Sequence, residues 1–384
     1  MALADINAGV VGVGFVGAAH VEALRRLGVN VTGVVGSTPE RARKKAAAAN
    51  LPPVYESLEA LLAEPAVDVV HVASPNNVHA DQVRAVIEAG KHVVCEKPLA
   101  LTRHDTADVR RRAEASGLVH AVCHNIRFYP LCQQMRAMVV AGAIGEPRFV
   151  TGSYLQDWLL LPTDWNWRLV PERAGALRAT ADIGSHWLDL ARFVTGQRVV
   201  EVMADLHTFV PTRSRPVGEV ETFASAAHGG ELVEESMSSD DAAGILLRFE
   251  DGARGLVAAS QVSAGRKNAL TIEVDGSEAA LAWCSEDPDR LWVGHRGRPN
   301  EILPRDPALV DPDVRRVVGY PGGHVEGYPD TFRALFAEVY ADVEAGRPSA
   351  APAYPTFADG HDALCVLEAV ANSASGQRWA KVER

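Results

Sequence analysis

No apolar run in this chain of 384 residues reaches the roughly 20 that a bilayer-spanning helix needs, so a membrane span is not expected. The N-terminal MALADINAGV has neither the basic flank nor the long apolar core of a secretory signal, which sets the expectation of a cytoplasmic protein. Positive charge is in deficit. The 38 Lys and Arg against 49 Asp and Glu give a formal charge of −11, whereas proteins that grip a phosphate backbone cluster Lys and Arg, which argues against a nucleic-acid partner. Cysteine is scarce as well. Cys95, Cys123, Cys132, Cys284 and Cys365 are odd in number and scattered, which excludes a disulfide framework and reads as reduced thiols. His120, Cys123 and His124 are close enough to suggest metal ligands. The stretch GLVHAVCHN reads as a buried strand, however, and alternation there sends neighbours to opposite faces, so no metal site is expected. Internal repeats and low-complexity tracts are also missing. What remains is a globular composition, 47% hydrophobic with a mean hydropathy of −0.03, of a length that suits two domains.

The first 125 residues alternate strand-like and helix-like runs, the pattern of a parallel sheet with crossover helices. Val10-Val11 leads into a helix over about Val16 to Leu27, and Val29 to Val35 forms a second strand. STPERARKKAAAAN follows as a helix with Thr38 at its N-cap and Pro39 in its first turn. A short run near Val54, then VDVVHVAS, HVVCE and LVHAVC, bring the expected strands to six. From residue 126 the pattern changes. FVTGSYL, GILLRFED, ARGLVAAS and ALTIEVDG carry glycine-containing turns and no crossover helices, so residues 126–384 are expected to form an α+β domain with a large, mostly antiparallel open sheet. Helices are expected over Leu131 to Ala141, in DIGSHWLDLARFVTG and near Asp330 to Ala345, while residues 205–243 are polar and irregular without an assigned role.

Gly12, Gly14 and Gly17 stand in G-x-G-x-x-G spacing between the first strand and the first helix. In that setting the first glycine permits the tight turn, the second lets backbone approach a pyrophosphate, and the third lets helix and strand pack closely. The helix N-terminus supplies N–H groups for the anion. An NAD-binding turn of this kind usually has an acid at the end of the second strand to hold the ribose, but here Gly36 and Ser37 occupy that place. Ser37, Thr38 and Arg41 could accept a 2′-phosphate; a plain N-cap and a solvated arginine explain the same letters, so NAD and NADP both stay open. Two further stretches fall at strand ends, where open α/β sheets bind ligands: Ser74-Pro75-Asn76 with His79, and Glu96-Lys97-Pro98. Pro98 favours an extended Lys97 whose ammonium projects over a crevice, although a surface pair between Lys97 and Glu96 is the plainer reading. Asp182 and His186 are four apart and share one side of a helix, and histidine is the side chain best poised for proton transfer near neutral pH.

Taken in order, these motifs resemble the Gfo/Idh/MocA family of oxidoreductases, and the resemblance runs through HNIRFYP, GHVEGY and PTFADGHDAL to the end of the chain. It implies a Rossmann domain followed by a substrate and oligomerisation domain, with Lys97, Asp182 and His186 as the catalytic group. It also implies that Phe15 and Val16 join the glycine turn, Ser37, Thr38, Arg41, Ser74, Pro75, Asn76, His79, Glu96 and Lys97 around the cofactor, and that Arg127 and His186 touch substrate. The stretch YLQDWLLLPTDWNWRL most resembles the branch acting on pyranoses, whereas RAGALRATADIGSH replaces the Gly-rich lead-in of the commoner family form.

The expected activity is hydride transfer between NAD or NADP and a secondary alcohol of a sugar, sugar derivative or cyclitol. Two other readings are a redox-assisted glycoside hydrolase or lyase on the same fold and a cofactor-binding regulator without catalysis. A homodimer or homotetramer through the second domain is expected, mainly from the resemblance. Trp158, Trp165 and Trp167 fall within ten residues, with Asp157, Asp164, Asn166 and Arg168 among them. Tryptophan can pack on the apolar face of a pyranose, or can merely pin a loop to the sheet. Trp158 and at least one of Trp165 and Arg168 are expected at the substrate.

Overall fold

The computed structural model describes residues 2–217 and 231–384. It divides into two compact units, Met1–Asn125 with Pro329–Leu364, and Ile126–Tyr328 with Cys365–Arg384. The first boundary falls where the strand pattern changes, but Pro329–Leu364 clusters with the first unit, whereas sequence alone groups it with the second.

The valine-rich runs of the first unit form five parallel strands, β1 (Asn7–Val11), β2 (Asn30–Val35), β3 (Val69–Val72), β4 (His92–Cys95) and β5 (His120–Val122). Their order is β2-β1-β3-β4-β5. Strands buried on both faces read as continuous apolar runs, and β3 and β5 are buried at every position. The expected sixth strand near Val54 is corrected to a single parallel bridge with Val34. Pro52 and Pro53 lack the N–H that a ladder needs, and Ser57 caps the next helix by accepting from the Ala60 N–H, which leaves no length for a strand. Helices α1 (Phe15–Leu27), α2 (Pro39–Ala48), α3 (Leu58–Leu62), α4 (His79–Glu88) and α5 (Arg103–Ser116) make the crossovers. Val70, Val72, Val83, Val86, Val93 and Val109 are fully buried in their common core, and Phe357 from the C-terminal segment joins them.

In the second unit α6 (Pro130–Val140) precedes β6 (Pro147–Leu155), then α7 (Pro171–Ala174), α8 (Ser185–Thr195) and β7 (Val199–His207). Strands β8 (Thr212–Pro216) and β9 (Leu232–Ser236) form a separate hairpin inside the stretch read as irregular, of which 218–230 lie outside the described residues. The remaining strands are β10 (Ala242–Phe249), β11 (Arg254–Ser260), β12 (Ala269–Gly276), β13 (Ala279–Cys284), β14 (Arg290–His295), β15 (Glu301–Pro304) and β16 (Ala380–Lys381). They join β6 and β7 in a nine-stranded sheet, β15-β14-β13-β12-β6-β11-β10-β7-β16, antiparallel except where β6 meets β11. Helix α8 packs on β6 and β12, and Gly152 permits it: a Cβ there would lie 2.6 Å from Trp187 Nε1, the atom that donates to the Thr271 carbonyl at 2.9 Å. Helices α9 (Tyr328–Glu344) and α10 (Phe357–Gly376) precede β16, and none of the described helices is long and apolar enough to cross a membrane.

Candidate active site

In an open parallel sheet the ligand crevice lies beyond the carboxyl ends of the strands, where the strand order reverses. Here β2 lies on one side of β1 and β3 on the other, so the switch point falls between β1 and β3. Gly12 follows β1, Ser37 and Thr38 follow β2, Ser74 follows β3 and Glu96-Lys97 follows β4, so the sequence-predicted residues of this unit gather at one end of adjacent strands.

The three glycines differ in what they allow. Gly12 has φ +122°, and a Cβ on it would lie 2.6 Å from the Ala73 carbonyl carbon, so the turn presses against the end of β3. A Cβ on Gly17 would meet the Gly12 carbonyl, 2.7 Å from its carbon, which ties α1 closely to the turn. Around Gly14 there is nothing within 4 Å of a Cβ. As the N-cap of α1 it offers no side chain to the first-turn N–H groups, and no acid stands in that turn. Together these features make an anion cradle at a helix N-terminus, which fits the pyrophosphate of a dinucleotide. Phe15, 52% exposed, and half-buried Val16 flank it.

At the end of β2, Thr38 accepts from the Arg41 N–H at 3.4 Å, the N-cap of α2, while the Arg41 side chain is exposed. His79 is fully buried, with Nδ1 2.8 Å from the Pro98 carbonyl and Nε2 2.8 Å from the Ser74 carbonyl. Burial lowers its pKa against the two carbonyls, which favour the protonated ring. The imidazole therefore braces the Ser74-Pro75-Asn76 turn against the Glu96-Lys97-Pro98 segment. Glu96 accepts from the Lys97 N–H at 3.2 Å and lies 3.1 Å from His20 Nε2, and the Lys97–Pro98 peptide is cis. Among the described residues, the metal-type ligands that come together are His20, Glu96 and Cys123, within 4.8 Å of one another, a different set from the His120, Cys123 and His124 of the sequence reading. Burial, with Glu96 beside it, pushes the Cys123 thiol well up, and its sulfur lies 3.9 Å from His20 Nε2.

In the second unit Thr180–Gly184 form a π-helical turn that runs straight into α8. Such turns widen a helix by one residue and are frequent at functional sites. Asp182 lies on this turn and His186 on the first turn of α8. The Asp182 carboxylate accepts from Arg168 Nε at 3.1 Å and from Gln261 Nε2 at 2.8 Å. Gln261 in turn accepts from Arg178, which also pairs with Asp241; Arg213 reaches the same Asp241 oxygen at 2.9 Å. Asp240 accepts from the Arg178 and Thr180 N–H groups at 2.6 and 2.8 Å. Burial raises the Asp240 pKa, and burial with the mutual repulsion of the two guanidinium groups lowers that of Arg178 to about 10. The unusual lead-in RAGALRATADIGSH thus supplies a buried ionic anchor for the turn.

Beside His186 stands Tyr154, with ring centroids 6.2 Å apart. Its hydroxyl donates to Asn268 Oδ1 at 2.7 Å, Gln156 Nε2 donates to the same oxygen at 2.8 Å, and Trp158 Nε1 donates to Gln156 Oε1 at 2.9 Å. The Arg168 guanidinium lies 4.6 Å from the Trp167 ring, and Arg215 lies 5.9 Å from the Trp165 ring. Arg168 therefore joins Asp182 directly, and Trp158 joins the Tyr154 cluster through Gln156. Trp165 is drawn to the hairpin arginine. Arg127, expected at the substrate, is 8% exposed and donates twice to Asp189, at 2.7 and 2.5 Å, so its guanidinium braces the helix that carries His186. Sequence reasoning missed Tyr154, Gln156, Asn268, Gln261, Arg178, Asp240 and Asp241. The one available signal was the charged Arg178 in a run that otherwise reads as core.

Residues 6–124 match the family model described as oxidoreductase family, NAD-binding Rossmann fold, and residues 132–282 match the GFO/IDH/MocA C-terminal domain. A levoglucosan dehydrogenase from Pseudarthrobacter phenanthrenivorans is 29% identical over 98% of both chains. A D-xylose 1-dehydrogenase (NADP(+)) from Haloferax volcanii is 32% identical, over 62% of this chain and 71% of the relative. A solved levoglucosan dehydrogenase in complex with NADH and L-sorbose superposes with a TM-score of 0.87 at 28% identity, over 99% of each chain. The chain belongs to the GFO/IDH/MocA oxidoreductase family.

Proposed function

We propose that this protein is an NAD(P)-dependent dehydrogenase that oxidises a secondary alcohol of a pyranose or related cyclic polyol. The observation that carries the reading is the π-turn before α8, which sets Asp182, held by Arg168 and Gln261, one turn ahead of His186 and its polar neighbours. The sugar and cyclitol dehydrogenases among the relatives support the substrate class.

Gly12, Gly14 and the first turn of α1 would hold the pyrophosphate, with the Ser74–Asn76 turn and Glu96 beside it. When bound, the nicotinamide supplies the hydride acceptor. The protein's own part is the proton. His186 takes it from the substrate hydroxyl, Lys97 assists, and Asp182 orients the neighbouring hydroxyl while Arg168 and Gln261 keep its two oxygens fixed. Ser37, Thr38 and the exposed Arg41 admit either an ordinary ribose or a 2′-phosphate.

Phe149, Leu246 and Leu256 lie 42–45% exposed on one face of the large sheet, with Leu246 and Leu256 as direct cross-strand partners. An apolar sheet face of this kind suits a second copy, and we assign a homo-oligomer to it. The activity is tested by screening pyranoses and inositols with NAD and with NADP, reading net nicotinamide reduction. Reduction with one cofactor and a pyranose supports the assignment. A sugar cleaved with no net change in added cofactor would favour a redox-assisted hydrolase or lyase instead.

A further inference from the structure

Behind Lys97 the first unit contains a line of buried polar side chains that the reaction does not use. His20 Nε2 is 3.1 Å from Glu96 Oε1, His20 Nδ1 is 3.1 Å from His71 Nδ1, and His71 Nε2 is 2.9 Å from the Tyr340 hydroxyl. His20, His71 and Tyr340 are fully buried, and Glu96 is 9% exposed. Phe332 and Phe336 pack on the imidazoles, with the Phe336 centroid 4.9 Å from His20 and 4.7 Å from His71. These side chains are shut off from bulk solvent, so each donor in the line is satisfied by the acceptor it faces there.

That requirement fixes its direction from both ends. An ionised carboxylate only accepts, so His20 Nε2 carries the hydrogen that reaches Glu96. A neutral ring then leaves His20 Nδ1 as an acceptor, His71 Nδ1 must donate to it, and His71 Nε2 must accept. The far end agrees. Among the described residues the Tyr340 hydroxyl meets no hydrogen-bond partner other than His71 Nε2, so its O–H satisfies itself only by donating there. The reverse chain would leave that hydroxyl hydrogen buried without an acceptor. Burial pushes the His71 pKa well down, in keeping with a neutral ring. Burial works to raise the Glu96 pKa, but the His20 hydrogen bond and nearby positive charge outweigh it and keep the carboxyl ionised.

We infer that Tyr340, His71 and His20 form a one-way hydrogen-bonded chain ending on Glu96, and that they are positioning residues which hold this carboxylate, and through it the Lys97 backbone, in the geometry for turnover. The functional half of the inference rests on the assignment of Lys97 to proton transfer. The chain acts by fixing Glu96: one oxygen takes the imidazole hydrogen and the other takes the Lys97 N–H, so neither the carboxylate nor the strand end that carries Lys97 is free to turn.

Long-range proton–nitrogen correlation spectra of the intact protein, with isotope-labelled histidine, read the chain directly. At neutral pH His20 is expected as the Nε2–H tautomer and His71 as the Nδ1–H tautomer. The reverse tautomers, or an imidazolium at either position, overturn the chain. Glu96→Gln places an amide that can donate where only an acceptor stood, so the His20 signal should move toward a mixture of tautomers; an unchanged signal counts against the carboxylate as the origin of the direction. Tyr340→Phe removes one hydroxyl and keeps the ring, and should lower kcat by about three- to tenfold with KM for the cofactor little changed. Wild-type turnover in Tyr340→Phe overturns the positioning role whatever the tautomers. Failure of the Lys97 assignment would appear separately, as a Lys97→Met enzyme with undiminished kcat and the same wild-type tautomers.

Discussion

Gly14 and Gly17 stand three residues apart in one motif, and the structure separates what a side chain would do at each. Gly14 has φ −82° and ψ −172°, an extended conformation open to any residue, and nothing lies within 4 Å of a Cβ built on it. Gly14→Val therefore costs only the difference in N-cap preference, about 1 kcal/mol, or about 2–4 °C in Tm for a unit of this size. A Cβ on Gly17 runs into the Gly12 carbonyl, and backbone cannot step aside as a flexible side chain would. Gly17→Ala must lift α1 from the turn, an overpacking cost of about 3 kcal/mol or more. Cofactor affinity should follow a different order. The valine at position 14 fills the space left for the pyrophosphate, so the dissociation constants for NADH and NADPH should rise by about 100-fold, equivalent to about 2.7 kcal/mol, in a protein that still melts close to wild type. Nicotinamide fluorescence titration and thermal melting, run on both variants, decide it. Undiminished affinity in a folded Gly14→Val protein would refute the cradle, and a Gly17→Ala protein as stable as wild type would refute the packing argument.

Other outcomes follow from the second unit and from burial. Lys97→Met and His186→Ala should each lower kcat by about 10²-fold or more while the cofactor still binds, and steady-state kinetics of the double variant should show less than the summed loss. Gln261→Leu removes a donor to Asp182 and also the acceptor of the buried Arg178, so it should cost about tenfold in kcat and lower the melting temperature as well; an unaltered kcat in the folded variant would remove Gln261 from the positioning of Asp182. Burial holds the His120 pKa down to about 4 from the ordinary 6.5, so the neutral ring contributes stability that is fully present above pH 6.5 and is lost as pH falls toward 4. The gap is worth up to about 3 kcal/mol, and denaturation at pH 7 and pH 5 should show a smaller acid-induced loss in His120→Asn than in wild type. Leu246→Arg, placed on the exposed sheet face, should reduce the mass measured by light scattering if that face joins two copies.

The strands of the first unit were legible because a parallel strand buried on both faces writes itself as a valine run, and because Gly12 and Thr38 mark where a turn and a helix begin. Val54 misled for a stated reason: an apolar residue suits a strand, but two prolines before it remove the donors that would extend the ladder. The placement of Pro329–Leu364 was hidden because helical periodicity tells which face of a helix is buried and not which core receives it. Phe357 reads the same in the sequence whether it packs on the valines of the first unit or on the large sheet.

The candidate site divides along a similar line. Residues proposed to act through the backbone or through one special side chain, such as Gly14, Lys97 and His186, are visible because few other letters could replace them in their local setting. Residues that act by meeting a partner far along the chain are not. Gln261 lies 79 positions from Asp182 and Tyr340 lies 269 positions from His71, and nothing local at either position distinguishes a glutamine or tyrosine that reaches a site from one that does not. Arg127 and Trp165 each look suited to a sugar in the sequence, and in the structure each has a partner inside its own unit, Asp189 and Arg215. Arg168 could serve both ends because its geometry allows it: Nε reaches Asp182 while the guanidinium plane rests beside Trp167, so the charge that the carboxylate needs and the stacking that fixes the arginine come from different parts of one side chain. Lysine at that position could supply the charge but not the planar contact, and Arg168→Lys should therefore weaken the hold on Asp182 although the charge is kept. The test is kinetic: if Arg168→Lys retains wild-type kcat and KM for the sugar, charge alone suffices at position 168 and the planar contact with Trp167 has no part in fixing Asp182.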